Sequence, residues 1–210
     1  MGKKIHHIVV IGNVASGKSS LIDALAPKIS AYRIEADEFY KSNPFFPLAL
    51  EDRARWSFAS DIWFLHERAK LTQTELQTHQ NQHTIADCGL PMSWVYAHSR
   101  LESNHFTKDE WETYVQLYER ITGGISQPTL VIALRASIPV LLERIRHRGR
   151  AFELTHHTKE YLQQLDNSLQ KQIDVLRQNQ IDVIEFPIPI SSFRFTDDAL
   201  QQILQKVEKE

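Results

Sequence analysis

Cysteine is almost absent from the 210-residue sequence, in which it occurs once, as Cys88. A single thiol cannot form an internal disulfide, so we expect a reducing, cytoplasmic setting. Long apolar runs are missing as well, which argues against a membrane-spanning helix. The formal net charge of −2 gives no electrostatic reason to expect a nucleic-acid or membrane partner.

Glycine is also scarce, with seven residues, and no repeat or low-complexity linker divides the chain. Apolar residues make up 42% and charged residues 24% of the sequence, which is ordinary for a globular protein. The length is sufficient to bury a sizeable core, so we expect one α/β domain over residues 1–210.

Short apolar runs alternate with helical patterns, which predicts five strands at "IHHIVVIG", "AYRIEAD", "HTIAD", "PTLVIALRA" and "IDVIEF". Between the second and third strands, an apolar stripe at helical spacing predicts one helix over about 47–79. Thr107 and Glu110 have the spacing of a capping box at the start of a later helix. This alternation indicates a parallel sheet with helices on both faces, which binds ligands at the carboxyl ends of its strands.

The strongest motif is "GNVASGKSS", residues 12–20, which has the Walker A pattern between a predicted strand and a helix. Its glycines let backbone N–H groups surround phosphate oxygens, and the helix amino terminus adds a positive end. We expect Lys18 to reach the β- and γ-phosphates and Ser19 to bind Mg²⁺. The predicted fold is therefore a P-loop NTPase fold that binds ATP through Gly12, Asn13, Val14, Ala15, Ser16, Gly17, Lys18, Ser19 and Ser20.

Four arginines follow the fourth strand, at positions 144, 146, 148 and 150. A solvated helix face would account for such charges. An arginine-rich lid over about 144–156 accounts for them better, because a lid beside the P-loop would exclude water and neutralise transition-state charge. A GTPase would need a guanine-reading Asn-Lys-x-Asp, which is missing, so a small-molecule kinase is favoured.

In this order, the motifs resemble those of the deoxynucleoside kinase family over nearly the whole chain. Beside the P-loop, the resemblance rests on "EFYKSNPF", "RWSFASDIWFLHERAKL", "KDEWETYVQLYE" and "ERIRHRGRAFE" followed by "EYLQQL". It implies an enzyme that transfers phosphate from ATP, with Mg²⁺, to the 5′-hydroxyl of a nucleoside. It also implies a homodimer.

The resemblance further implies roles for individual residues. Glu38 would take the proton from the sugar hydroxyl, with Glu35 and Asp37 as rival carboxylates. Asp87 would hold Mg²⁺ together with Ser19. Lys18 and Arg144 would assist phosphoryl transfer, and Arg144, Arg148 and Arg150 would contact ATP. Glu153 would bind the sugar, and Arg68 would lie near the nucleobase.

The departures from the family bear on the substrate. Cys88 stands where the family has an arginine, which puts catalytic efficiency in question. Asp61 replaces the glutamine that reads the base, and Leu50 and Ser93 replace two other pocket residues. A carboxylate only accepts hydrogen bonds, so Asp61 suits guanine, which offers N1–H and N2–H₂, and favours a guanine-type purine deoxynucleoside. Trp63 is a candidate to flank the base.

Two alternatives stay open from the sequence. The chain could be a nucleotide-binding regulatory or partner subunit with little kinase activity, as the missing arginine at position 88 would suggest. It could also be a P-loop kinase of another small hydroxyl acceptor. Cys88 itself is expected to be a buried structural thiol rather than a nucleophile.

Overall fold

The computed structural model describes residues 6–36, 38–188 and 197–207. Its five strands form one parallel sheet in the order β2-β3-β1-β4-β5. The strands are β1 His7–Gly12, β2 Tyr32–Ile34, β3 Thr84–Asp87, β4 Leu130–Arg135 and β5 Asp182–Pro187. The predicted α/β fold with five parallel strands is confirmed.

Helices surround the sheet in the described part of the chain. They are α1 Lys18–Leu25, α2 Phe39–Ser42, α3 Phe46–Glu51, α4 Arg53–Thr78, α5 Gly89–Glu102, α6 Lys108–Thr122, α7 Ile138–Arg148, α8 Ala151–His156, α9 Lys159–Gln178 and α10 Asp197–Val207. Neighbouring side chains of a strand point to opposite faces, so β1 serves both halves of the core. Ile8 and Val10 pack towards α1 and α10, whereas Val9 and Ile11 pack towards α5, α7 and α9.

The long helix predicted over 47–79 is wrong at its amino end. Asp52 has an extended backbone, with φ −135° and ψ 93°, and therefore separates α3 from α4. Its side chain accepts a hydrogen bond from the Arg55 backbone N–H at 3.1 Å, which caps α4. The apolar stripe continues across this break, so periodicity alone did not reveal it.

The segment predicted as a lid, about 144–156, contains the carboxyl end of α7, Gly149 and α8. Gly149 has φ +71° at the end of α7, a left-handed conformation that glycine adopts without strain. Phe152 of α8 packs against the rings of Tyr40 and Phe46. The lid segment therefore lies against α2 and α3, across the cavity described next.

Candidate active site

The P-loop connects the carboxyl end of β1 to α1. A Cβ at Gly12 would lie 2.6 Å from Ser16 Oγ and 3.0 Å from the Leu134 carbonyl oxygen, so only glycine fits there. Gly17 has φ +101° immediately before α1. The sequence pattern thus folds into a tight loop whose backbone leads into a helix amino terminus, as phosphate binding requires.

The side chains of the loop have distinct positions. Lys18 Nζ donates to the carbonyl oxygens of Gly12 at 3.1 Å and Asn13 at 3.0 Å, so it lies over the loop. Asn13 Nδ2 donates to the Leu162 carbonyl at 2.8 Å and fastens the loop to α9. Arg144 Nη1 donates to the Ser16 carbonyl at 2.9 Å, which brings the first lid arginine onto the loop.

Ser19 and Asp87 meet at the base of the loop. Ser19 Oγ donates to Asp87 Oδ2 at 2.6 Å, and Asp87 Oδ1 is buried with no hydrogen-bond partner among the described residues. A hydroxyl and a carboxylate with a free oxygen are ligands that suit Mg²⁺. In the described residues, no group of three or more His, Cys, Asp or Glu side chains could hold a metal. The remaining ligands would therefore be phosphate oxygens and water.

Cys88 adjoins this pair in an unusual conformation, with φ 67° and ψ −46°. Burial raises the pKa of its thiol to about 12, so the thiol stays protonated at neutral pH. A protonated, hindered thiol is a poor nucleophile. Asp87, and not Cys88, is therefore the candidate functional residue at this turn.

One cavity of about 490 Å³ extends from the P-loop to α4 and α5. Of the predicted site residues, those that line it are Val14, Ala15, Gly17, Lys18, Ser19, Ser20, Asp61, Arg68, Asp87, Arg144, Arg148, Arg150 and Glu153. Sequence reasoning missed its aromatic walls and one cation, which are Tyr40, Phe46, Phe64, Tyr96, Phe152, Tyr161 and Arg100. The cavity has space for a ligand of drug-like size.

The far end of the cavity is polar and buried. Arg68 Nη1 donates to Ser93 Oγ at 3.0 Å, and Arg68 Nε has no partner among the described residues. Arg100 Nε donates to Asp61 Oδ2 at 3.4 Å. A planar ligand between the aromatic walls would therefore meet a carboxylate and two guanidinium groups at its edge.

The lid arginines are engaged with Glu153. Arg148 donates to both carboxylate oxygens of Glu153, at 2.8 and 2.6 Å, and Arg150 Nη1 lies 3.4 Å from Oε1. Glu153 is only 2% exposed. The structure thus brings the arginines predicted to bind phosphate together with the glutamate predicted to bind the sugar. In this arrangement they form ion pairs with one another.

Five predicted residues do not line the cavity: Gly12, Asn13 and Ser16 of the P-loop, and Glu38 and Trp63. Glu38 immediately precedes α2, and its side chain makes no capping hydrogen bond to that helix. The side chain is 73% exposed and forms an ion pair with Lys41. Its rival Glu35 pairs with Arg33 at 2.7 Å, and Asp37 lies outside the described residues. Trp63 packs edge-on against Phe39 and Phe64 instead of lining the cavity.

The position of Trp63 follows from helix geometry. Asp61, Phe64 and Arg68 are spaced by three and four residues, so they share one face of α4. Residues two apart do not share a face, which turns Trp63 away. The same spacing would have indicated Phe64, whose ring lies 5.3 Å from the Arg68 guanidinium carbon.

The P-loop and the five-stranded parallel sheet define the class of P-loop NTPase folds. The family model for deoxynucleoside kinases matches residues 8–210, and the chain belongs to the deoxynucleoside kinase family. It is thus a phosphotransferase that acts on deoxynucleosides.

Particular relatives are similar over most of their length. A Bacillus subtilis deoxyguanosine kinase is 29% identical over 174 residues, which cover 81% of this chain and 80% of the relative. A B. subtilis deoxyadenosine/deoxycytidine kinase is 30% identical over 163 residues, 72% of each chain. The structure of M. mycoides deoxyadenosine kinase with dCTP has a TM-score of 0.77 at 22% identity, covering 97% of this chain and all of that one.

Proposed function

We propose that the protein transfers the γ-phosphoryl group of ATP to the 5′-hydroxyl of a deoxynucleoside, with preference for a guanine-type base. The observation that carries the proposal is the single cavity, which joins the P-loop and the Ser19–Asp87 pair to Asp61 and Arg68. The residues proposed to bind the donor nucleotide and those proposed to bind the acceptor base thus line the same cavity. Similarity to a deoxyguanosine kinase and to a deoxyadenosine/deoxycytidine kinase supports a deoxynucleoside acceptor.

At the donor end, the chain supplies positive charge and fixed donors. The P-loop N–H groups and Lys18 would bind the β- and γ-phosphates, and Arg144 would neutralise charge on the phosphoryl group in flight. Ser19 and Asp87 would hold Mg²⁺, which would supply Lewis-acid chemistry by offsetting the negative charge of the phosphates.

Phosphate binding would change the hydrogen-bond partners of the lid arginines. The incoming phosphates offer Arg148 and Arg150 a stronger set of oxygens than one carboxylate does. Their release from Glu153 would free that carboxylate for a sugar hydroxyl. The Arg148–Glu153 contacts support a lid whose sugar and phosphate ligands become available together.

At the acceptor end, we retain Glu38 as the general base. It follows the carboxyl end of β2, and Tyr40, two residues later, lines the cavity. Catalytic contacts often form only in the complex with substrate, so its exposed position is compatible with this role. The role requires the Glu38 side chain to turn towards the cavity when substrate binds.

A homodimer and a cytoplasmic location remain predictions. Phe58, Ile62 and Ile121 are partly exposed on α4 and α6 and pack on one apolar cluster, which supports an interface on these helices. No helix in the described ranges is long and apolar enough to cross a membrane.

A nucleoside panel with Mg-ATP, assayed for ADP release and for nucleoside monophosphate, tests the proposal. We expect deoxyguanosine to give the highest kcat/KM.

Lys18→Ala should lose activity by on the order of 100-fold because a phosphate ligand is removed. Asp61→Asn should weaken guanine nucleosides selectively by about tenfold, since an amide cannot accept both guanine donors.

Three outcomes would contradict parts of the proposal. ATP binding without nucleoside-stimulated ADP release would indicate a nucleotide-binding partner subunit. Release with only a non-nucleoside alcohol would indicate another acceptor class. Full turnover in Glu38→Gln would refute the base assignment and leave the substrate assignment intact.

A further inference from the structure

Arg100 occupies a position that the sequence motifs do not mark. Ser93, Tyr96 and Arg100 are spaced by three and four residues on α5, and all three line the cavity. The Arg100 side chain is 13% exposed and that of Asp61 is 7% exposed. A buried guanidinium thus lies beside the carboxylate that is proposed to read the base.

The contact between the two groups leaves half of the carboxylate available. Arg100 Nε donates to Asp61 Oδ2 at 3.4 Å and thus engages one of the two carboxylate oxygens. Arg68 points its Nη1 to Ser93 instead, at 3.0 Å. Arg100 is therefore the one arginine that hydrogen-bonds Asp61 in the described part of the chain.

The protonation of Asp61 depends on these neighbours. Burial raises the pKa of Asp61 above its usual value and outweighs the opposing cations, of which Arg100 is the strongest. The charged and titratable groups around the pair are Arg53 and Arg68 on α4, Arg100 and Tyr96 on α5, Tyr114 on α6, Tyr161 on α9, and His105 and His157 in the adjoining loops. Loss of Arg100 would therefore favour the protonated acid.

The two protonation states complement different bases. An ionised carboxylate only accepts, which matches the two adjacent donors of guanine, N1–H and N2–H₂. A protonated carboxyl donates through one oxygen and accepts through the other, which matches adenine, with its N1 acceptor and N6–H₂ donor. Protonation of Asp61 would thus change the preferred base from guanine to adenine.

We propose that Arg100 is a positioning residue that keeps Asp61 ionised and so selects a guanine-type over an adenine-type deoxynucleoside. The proposal rests on the proposed function of Asp61 as the base-reading group. Arg100 would act through Asp61, which it contacts, and not through the phosphates or the sugar. Tyr161, whose ring centre lies 5.8 Å from the guanidinium carbon, supports Arg100 from α9.

The test is the ratio of kcat/KM for deoxyguanosine to that for deoxyadenosine, measured from pH 5.5 to 9. The wild type should favour deoxyguanosine at neutral and alkaline pH, and its ratio should change less with pH than that of a variant without the Arg100 charge. Arg100→Met keeps an unbranched side chain of about the length of the arginine stem, without its charge, and should lower the ratio about tenfold at pH 6. The ratio should recover as the pH rises, because Asp61 then loses its proton.

Two matched variants separate positioning from simple structural support. Arg100→Lys restores a cation and should restore the weaker pH dependence of the wild-type ratio. Asp61→Asn combined with Arg100→Met cannot titrate at this position, so its ratio should be low at every pH. An Arg100→Met enzyme with the wild-type ratio, or with an equal loss for both purines at every pH, would overturn the proposal.

Base binding can be read without turnover. Deoxyguanosine should raise the Tm of the wild type more than deoxyadenosine does, and Arg100→Met should reverse this order at pH 6. An inactive protein that shows this reversal refutes phosphoryl transfer and supports the Arg100 proposal. An active enzyme whose Tm order does not change in Arg100→Met refutes the Arg100 proposal alone.

Discussion

At the scale of single residues, the turn between β3 and α5 stores strain. Cys88 adopts φ 67° and ψ −46°, a conformation that side chains with a Cβ rarely take. Its backbone N–H donates to the Val10 carbonyl at 3.1 Å, so the turn is fixed to β1. Such strain costs about 1–3 kcal/mol, which the surrounding core must offset. The turn also holds Asp87 beside Ser19, and this explains why the strain is tolerated.

Replacing Cys88 with glycine should therefore stabilise the fold. We expect Cys88→Gly to raise the free energy of unfolding by about 1 kcal/mol in urea denaturation, because glycine relieves the strain but adds freedom to the unfolded chain. Cys88→Ala removes the thiol and keeps the Cβ, so it should show no such gain. A glycine variant no more stable than the alanine variant would show that the turn is unstrained.

At the scale of elements, features that depend on local spacing were predicted correctly from the sequence. Contacts that depend on tertiary packing were not. The capping box predicted at Thr107 and Glu110 is confirmed, with both of its hydrogen bonds formed. Local spacing determines such a motif, as it also determines the P-loop. The pairing of Arg148 with Glu153 could not be predicted, because it depends on how α8 folds back on α7. Arg100 was missed for the same reason, since its partner lies 39 residues away on another helix.

The capping box allows a test of helix α6 by itself. Thr107→Ala should lower the free energy of unfolding by about 1 kcal/mol, because the Glu110 N–H loses its partner at the start of the helix. Urea denaturation provides the measurement. Glu112→Ala, on the exposed side of the same helix, should change stability by less than about 0.5 kcal/mol. Equal effects at the two positions would mean that the cap contributes nothing.

At the scale of the whole molecule, stability should fall in mild acid. His7 is buried at the start of β1, and its Nδ1 lies 2.9 Å from Thr84 Oγ1. Burial lowers the pKa of His7 from 6.5 to about 4. The folded state therefore favours the neutral ring, and the unfolded chain binds more protons between these two values. The contribution is fully present above pH 6.5 and is lost as the pH falls towards 4.

His7→Gln isolates this contribution, because glutamine can bond to Thr84 but cannot take up a proton. Between pH 6.5 and 4, the variant should lose about 3 kcal/mol less free energy of unfolding than the wild type does. Carboxyls with raised pKa values, such as the half-buried Asp166, act in the opposite direction but equally in both proteins. His66→Gln, at an exposed histidine of α4, should follow the wild-type curve. Parallel curves for His7→Gln and the wild type would show that acid sensitivity arises elsewhere in the molecule.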